Sequence, residues 1–467
     1  MIAFVRVMLQ RSIHSKLLRN IIKCNPVKLS SYKISCKLIE ELNKREMIQE
    51  IHPDDCSELV QLLNSNQTVY AGFDPTADSL HVGNLLVIIA LLHWQRAGHD
   101  VIAIIGDSTA QIGDPSGKTK EREVLKVDLI KSNSESIKQS LERIFDNFKK
   151  YFCKKNIAPA RIIYNSSWYK NEDITNFLSR VGRKLRVGQM LSRKSIKSRL
   201  ESSEGMNFAE FTYQVFQSYD WLYLFDKYNC RFQIGGSDQL ANIDLGHDLL
   251  KRTRNVNSYG LTVPLITAES GGKFGKSEGN AVWLNEDKTS VFDFYQFFMR
   301  LPDTSIQRYL KLFTFYSLSE VESIMQKHME KPENWYAQKR LAENVTRLIH
   351  GETGLRLAKL ATDVLYNNSF TSLNELNESE MKQIFKQVPS IELLLEPGIT
   401  LIDLAMKAKC FGSLKDANRI ISAGGMYVNN QKVTTPNYVI VAGQHILNNG
   451  LTLLRTGKRN YYLVKWL

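Results

Sequence analysis

The apolar positions of the chain fall into runs whose lengths and breaks predict an alternation of strands and helices. Gln67 to Phe73 has strand character, Asp74-Pro75-Thr76 interrupts it, and the stretch from Leu80, LHVGNLLVIIALLHWQRAG, has helical length and stops at Gly98. About 190 residues further on a second strand-like run, LTVPLI from Leu261 to Ile266, leads into a glycine-rich loop containing Lys273-Phe274-Gly275-Lys276-Ser277. Between them, Tyr213, Gln217 and Asp220 fall at i, i+4 and i+7 and so share one helical face, in a segment rich in aromatics (Phe211, Phe216, Tyr219, Trp221). From about Ser290 to Leu365 the spacing of Phe292, Tyr295, Phe298 and Met299, and later of Leu341, Val345 and Leu348, predicts packed helices. Asn367 to Pro397 is rich in Asn, Ser, Glu and Pro and is expected to be a connector with some helix. From Thr400, LIDLAMKAKCFGSLKDANRIISAGGMYVNNQKV predicts two short helices, a Gly424-Gly425 turn and a strand.

Three of these places carry chemistry. A strand that feeds a loop and then a helix start sets backbone N–H groups and the positive end of a helix dipole where a phosphate can sit. His81 and Asn84, one turn apart, would face such an anion, and Gly83 leaves room for a flat base against the backbone. Two lysines three residues apart in the glycine-rich loop form a cationic flap suited to a polyphosphate, where positive charge counts most as a leaving pyrophosphate develops. An Asp among aromatics is costly to bury without a polar partner, so Asp220 is expected to meet a ligand atom. Each feature alone also has an ordinary reading: His81 as a helix cap, the lysine loop as a solvated turn, Tyr70 as a core tyrosine and Asp114 as a turn residue in Gly-Asp-Pro-Ser-Gly.

Taken together, HVGN after the first strand and KFGKS after the last resemble the two signatures of class I aminoacyl-tRNA synthetases. YAGFDPTADSLHVGN (from Tyr70), IGDPSGK (from Ile112), QSYDWL (from Gln217) and QIGGSDQ (from Gln233), in that order, are similar to the bacterial-type tyrosyl-tRNA synthetases, from roughly Glu40 to the C-terminus. The resemblance implies an α/β fold. A Rossmann-like parallel-sheet catalytic domain would span 40–285, an all-α anticodon-side domain 286–375, a linker 376–398 and a small α+β αL-type RNA-binding domain 399–467.

It implies activation of L-tyrosine by ATP with Mg²⁺, followed by transfer to tRNA(Tyr), in a homodimer. Residues matching Tyr70 and Asp220 would bond the phenolic hydroxyl of the substrate tyrosine, those matching Asp114, Tyr213 and Gln217 its ammonium group, and Gln239 would help orient it. Asp74, Thr76, His81, Gly83, Asn84 and Asp238, with the flap residues Lys273, Phe274, Gly275, Lys276 and Ser277, would form the ATP site. Thr76 and His81 would touch phosphates beside Asn84, and Lys118, Arg122, Lys273 and Lys276 would be the mobile cations. In the C-terminal module, Ser413, Lys415, Asn418, Arg419, Lys432, Arg455, Lys458 and Arg459 would face tRNA. The chain departs from the commonest pattern at Asn84, where a second His is usual, at Ala71, where Cys is frequent, and at Leu240-Ala241, where Trp-Gly is commoner.

Composition narrows the alternatives. Of the net charge of +13, the first 39 residues supply eight Lys/Arg and no acid, which leaves +5 for the rest. That stretch is basic, Ser-containing and able to form a basic amphipathic helix, the composition of a mitochondrial transit peptide, and the expected destination is the matrix. A basic RNA-binding arm is the other reading of it. The six cysteines are scattered without a Cys-x-x-Cys pair, which argues against a structural zinc site and for a reducing compartment. No protein-bound metal is expected, and no apolar stretch approaches the ~20 residues of a membrane helix. Two rivals to a synthetase remain at this level: a nucleotidyltransferase with a related phosphate grip, and a non-catalytic RNA-binding or splicing paralogue.

Overall fold

The structure is a computed structural model that describes residues 37–55, 58–117, 121–203, 205–266, 276–277, 280–366, 370–384, 388–457 and 460–467. Residues 1–36 of the expected transit peptide lie outside these. Its last three residues open helix α1 (Lys37–Lys44), which buries Leu38, Ile39 and Leu42, so the folded body takes in chain that composition alone had assigned to the leader.

Six strands form the first sheet: β1 (Glu50–His52), β2 (Thr68–Phe73), β3 (Asp100–Ile105), β4 (Arg161–Tyr164), β5 (Cys230–Gly236) and β6 (Tyr259–Val263). Their order is β1-β6-β5-β2-β3-β4, parallel except for β1, which runs antiparallel to β6. Strands such as TVYAGF and DVIAII are apolar on both faces because helices cover both sides of a parallel sheet. Connections leave β2 toward β3 and β4 on one side, whereas β5 and β6 lie on the other. Such a reversal opens a crevice at the carboxyl ends of β2 and β5, the place where doubly wound sheets bind ligands.

Helix α2 (Val82–Arg96) follows β2 and is buried nearly all round. The 26-residue α3 (Val127–Phe152) packs on the sheet, and α4 (Phe208–Tyr228) presents the expected Tyr213/Gln217/Asp220 face to the crevice. Asn207 caps α4 by accepting from Glu210 N, and Asn229 ends it in the left-handed region at φ 49°. Helix α5 (Leu240–Arg254) then leads to β6.

The helical region consists of α6 (Val291–Met299), α7 (Asp303–Phe313), α8 (Leu318–Glu330) and α9 (Tyr336–Tyr366), the last broken at Gly351, whose φ of 71° is outside helical space. Arg45, fully buried, donates to the carbonyls of Lys311 and Thr314, both at 3.1 Å, and so ties the end of α1 to the C-terminus of α7.

The stretch 376–398, expected to be a linker, differs from that expectation. Besides a short helix of the kind expected there, Glu378–Ile384, it holds strand β7 (Ser390–Leu393), which pairs in parallel with the last strand of the C-terminal sheet. Its apolar Ile391 and Leu393 alternate with Ser and Glu, a signal masked by the surrounding Glu and Pro. Helices α10 (Leu401–Lys407) and α11 (Leu414–Ser422) follow, with β8 (Met426–Val428), β9 (Gln431–Val433), β10 (Leu451–Thr456) and β11 (Asn460–Trp466), in the order β9-β8-β10-β11-β7. This module is seated on the helical region. Leu357, Leu360 and Val364 of α9 form one apolar cluster with Leu451, Leu453 and Leu463, and Asn430 donates to the Val364 carbonyl at 2.9 Å.

Candidate active site

A cleft of about 520 Å³ opens at the carboxyl ends of β2, β5 and β6. Its lining brings together Tyr70, Asp74, Thr76, His81, Gly83, Asn84, Asp114, Arg122, Tyr213, Gln217, Asp220, Asp238 and Gln239, residues spread over 170 positions of sequence.

At the closed end, β2 carries Tyr70 in register with Ile102 of β3 and Gln233 of β5. The Tyr70 ring packs edge-on against Trp221 at 6.0 Å, and among the described residues its hydroxyl has no hydrogen-bond partner although it is buried. A buried phenol without a partner is a cost that a ligand atom can relieve. Asp220 accepts from Trp168 Nε1 at 2.9 Å and Tyr169 OH at 2.7 Å on one oxygen, and from Asn165 Nδ2 at 3.2 Å on the other. Burial pushes its carboxyl up to about 7, against the opposite pull of those three donors. Asn165, Trp168 and Tyr169 were not singled out from sequence. They sit on the turn and short helix after β4, some 50 residues before Asp220, and no local pattern marks a donor for a distant carboxylate.

In the middle of the cleft, Tyr213 donates to Asp74 Oδ2 at 2.7 Å and Thr109 to Asp74 Oδ1 at 2.8 Å. Asp74 was expected to orient the nucleotide, and in this structure its carboxylate also fixes Tyr213. Burial raises it to about 6, with both hydrogen bonds pulling the other way. Gln239 Nε2 donates to Asp114 Oδ2 at 2.8 Å, and Asn242, a residue absent from the sequence expectation, donates to Gln217 Oε1 at 3.0 Å. Asp114, Tyr213 and Gln217 thus converge as a polar patch with acceptors enough for an ammonium group.

Toward the mouth, Thr76 is exposed, and Asn84 Oδ1 accepts from His81 N at 3.1 Å, so the amide in place of a second His caps the start of α2. The chain after the lysine loop is pinned beside it, with Val82 N donating to Val282 O at 2.9 Å and Leu284 N to Leu80 O at 2.8 Å. The chain that follows the second signature therefore runs beside the first. A Cβ on Gly83 would stand 2.6 Å from Cε1 of His81, so the ring lies over the glycine. Gly83→Ala displaces that ring while a helix tolerates Ala, and the expected outcome, if the ring serves a phosphate, is about a hundredfold lower kcat with the melting temperature held. An unchanged kcat would remove His81 from the phosphate site. Arg122 donates from Nε to the Asp114 carbonyl at 2.8 Å, which brings it to the cleft rim. Lys118, Lys273, Phe274 and Gly275 lie outside the described residues, and Lys276 and Ser277 are described only as backbone paired with Asn280–Ala281. Among the described residues no group of His, Cys, Asp or Glu is gathered to hold a metal ion.

In the C-terminal module Ser413 caps α11, accepting from Asp416 N at 3.2 Å, and Lys415, Asn418, Arg419 and Lys432 are exposed. Arg455 departs from the expectation of a surface cation. It is 7% exposed, lies 3.7 Å over the Tyr427 ring and donates to the Gly457 carbonyl, because its strand is buried throughout. Lys458 and Arg459 lie outside the described residues.

Comparison with known proteins agrees with this geometry. Residues 63–367 match the family described as tRNA synthetases class I (W and Y), and residues 380–464 match the tyrosine–tRNA ligase SYY-like C-terminal domain. The chain is similar to the mitochondrial tyrosine–tRNA ligase of Drosophila melanogaster, 50% identical over 94% of this chain and 96% of that one. It is also similar to tyrosine–tRNA ligase 1 of Bacillus subtilis, 39% identical over 92% and 99%. Among solved structures, a C-terminally truncated mitochondrial tyrosyl-tRNA synthetase of Aspergillus nidulans superposes with a TM-score of 0.65 at 31% identity, covering 73% of this chain and 97% of that one. The chain belongs to the tyrosyl-tRNA synthetases, within the class I aminoacyl-tRNA synthetases.

Proposed function

We propose that this chain joins L-tyrosine to ATP as tyrosyl-adenylate and passes the tyrosyl group to a mitochondrial tRNA(Tyr). The observation that carries the choice of amino acid is the closed end of the cleft, where the Tyr70 hydroxyl, without a hydrogen-bond partner among the described residues, and the Asp220 carboxylate suit a phenol. A site that expects a hydroxyl rejects an amino acid lacking one, because its own polar groups are then left unpaired. Tyrosine enters with its hydroxyl between Tyr70 and Asp220 and its ammonium at Asp114, Tyr213 and Gln217, beside Gln239.

No strong base is required. A carboxylate oxygen of tyrosine, already ionised, bonds to the α-phosphorus of ATP as the bond to pyrophosphate breaks, so the chain's share is alignment and charge. Thr76 and His81 meet the phosphates beside Asn84, Gly83 and Asp238 hold the nucleoside side, and Arg122, Lys118, Lys273 and Lys276 neutralise the leaving pyrophosphate. Mg²⁺ travels with ATP and is held by its phosphates. In the second step a terminal ribose hydroxyl of tRNA attacks the activated carbonyl and AMP leaves.

The names of the relatives and the acid-free basic leader support a place in the mitochondrial matrix, checked by fusing residues 1–45 to a reporter. Exposed apolar side chains at Ile174, Leu178, Val187, Leu191 and Phe208 support a homodimer, which sedimentation would test. The activity itself is tested by charging mitochondrial tRNA with labelled tyrosine: ester formation is expected. RNA binding without ester would instead favour the non-catalytic paralogue.

A further inference from the structure

Tyr169 stands behind the cleft rather than in its lining, and its hydroxyl has two acceptors within reach: Asp220 Oδ1 at 2.7 Å and the Phe216 carbonyl at 2.9 Å. A phenol has one proton to give, so it bonds one of the two at a time. Toward a carboxylate the bond is charge-assisted and the stronger, whereas a protonated Asp220 would itself donate and turn the Tyr169 proton to Phe216 O. The ring that carries this hydroxyl is clamped by Phe216 at 5.3 Å and Tyr219 at 5.7 Å, and Trp168 stands at 6.2 Å. Tyr219 is in turn fixed by Arg180, which donates to its hydroxyl at 3.0 Å, and by Glu172, which accepts from it at 3.0 Å.

We propose that Tyr169 is a positioning residue for substrate choice: its hydroxyl commits Asp220 to accepting, so that the cleft demands a donating hydroxyl from the bound amino acid. It acts through Asp220 and does not touch the substrate. The inference rests on tyrosine being the substrate and goes beyond that reading by adding a residue outside the cleft.

The surroundings make such a device necessary. Burial and the nearby Asp74 carboxylate both push Asp220 toward its neutral form. Among the described residues no cation is one of the main influences on it; what faces it is Tyr70 on β2, Asp74 after that strand, Tyr213 on α4, and Asn165, Trp168 and Tyr169 after β4. Among the described residues it is hydrogen-bond donors that hold the charge. Tyr169 can supply one because burial and the Asp220 charge keep its phenol well above the ordinary range, hence protonated.

The sign of the test follows. Removing one donor raises Asp220 further, so less of it is ionised at neutral pH, and the deficit fades as pH rises. Tyr169→Phe keeps the ring contacts and loses only the hydroxyl. In pyrophosphate exchange at pH 7 it is expected to lower kcat/KM for tyrosine about tenfold, carried by KM, with KM for ATP within about twofold. The gap closes toward pH 9, and activity with phenylalanine stays put, so discrimination narrows by the same factor. Asp74 titrates in the same cleft, so the shift of the acid limb between the two proteins is the readout and not its absolute position. A gap equal at every pH, a loss carried by kcat, or no loss at all would each overturn the proposal while tyrosine remained the substrate. A wild-type enzyme silent toward tyrosine would overturn the reading of the site and this proposal with it.

Discussion

Asp220→Asn lowers kcat/KM for tyrosine by roughly a thousandfold and leaves KM for ATP nearly unchanged. The amide replaces one acceptor oxygen with a donor, and whichever way it turns, nitrogen faces nitrogen or a phenol: Trp168 and Tyr169 on one side, Asn165 on the other. The charge-assisted bond to the substrate hydroxyl, worth about 1.5–3 kcal/mol, is lost, and at least one buried donor is stranded at a further 1–3 kcal/mol or so. A total near 4 kcal/mol corresponds to about three powers of ten in rate. Phenylalanine, with no hydroxyl to place, loses far less, so the preference for tyrosine shrinks. Parallel losses for both amino acids, with a lowered melting temperature, would make Asp220 a structural residue only.

Reversing the charge of Lys415 and Arg419 together separates the two halves of the reaction. Both are exposed on α11, and among the described residues Arg419 pairs with Asp416 at 3.0 Å, a surface pair of small energy. The apolar cluster that seats the module on α9 draws no residue from α11. Lys415→Glu with Arg419→Glu is therefore expected to cut kcat/KM for tRNA charging about a hundredfold and flatten its salt dependence by about two units of log–log slope. Tyrosine-dependent pyrophosphate exchange stays within twofold of wild type. Equal loss of both activities, or untouched charging, would take α11 out of the tRNA surface. Arg455, stacked on Tyr427, makes a poor choice for such a test because its removal opens the strand packing instead.

What the sequence revealed, and what it hid, divides by distance along the chain. The strand, Asp-Pro break and helix from Gln67 to Gly98 were legible because apolar runs, a breaker and a terminal glycine act locally, and the structure has β2 and α2 there. The face shared by Tyr213, Gln217 and Asp220 was legible for the same reason, since helical periodicity is set within one turn. Long-range partners left no mark. Nothing in the spacing of Asn165, Trp168 and Tyr169 says that they serve Asp220, nor that Tyr213 bonds Asp74 across 139 positions. The strand at Ser390–Leu393 was hidden because its pairing with β11 lies more than 70 residues away, while its neighbours read as loop. Arg455 misled because a basic residue near a charged C-terminus looks solvated until its strand is seen to be buried.

Exchange of labelled pyrophosphate into ATP tests the central claim most directly, since it needs the cleft alone and no tRNA. Exchange that depends on L-tyrosine, saturates with it, and is nearly absent with phenylalanine is the expected result. No exchange with tyrosine, or equal exchange with both amino acids, would contradict a cleft whose closed end is built by Tyr70 and Asp220 to receive a phenol.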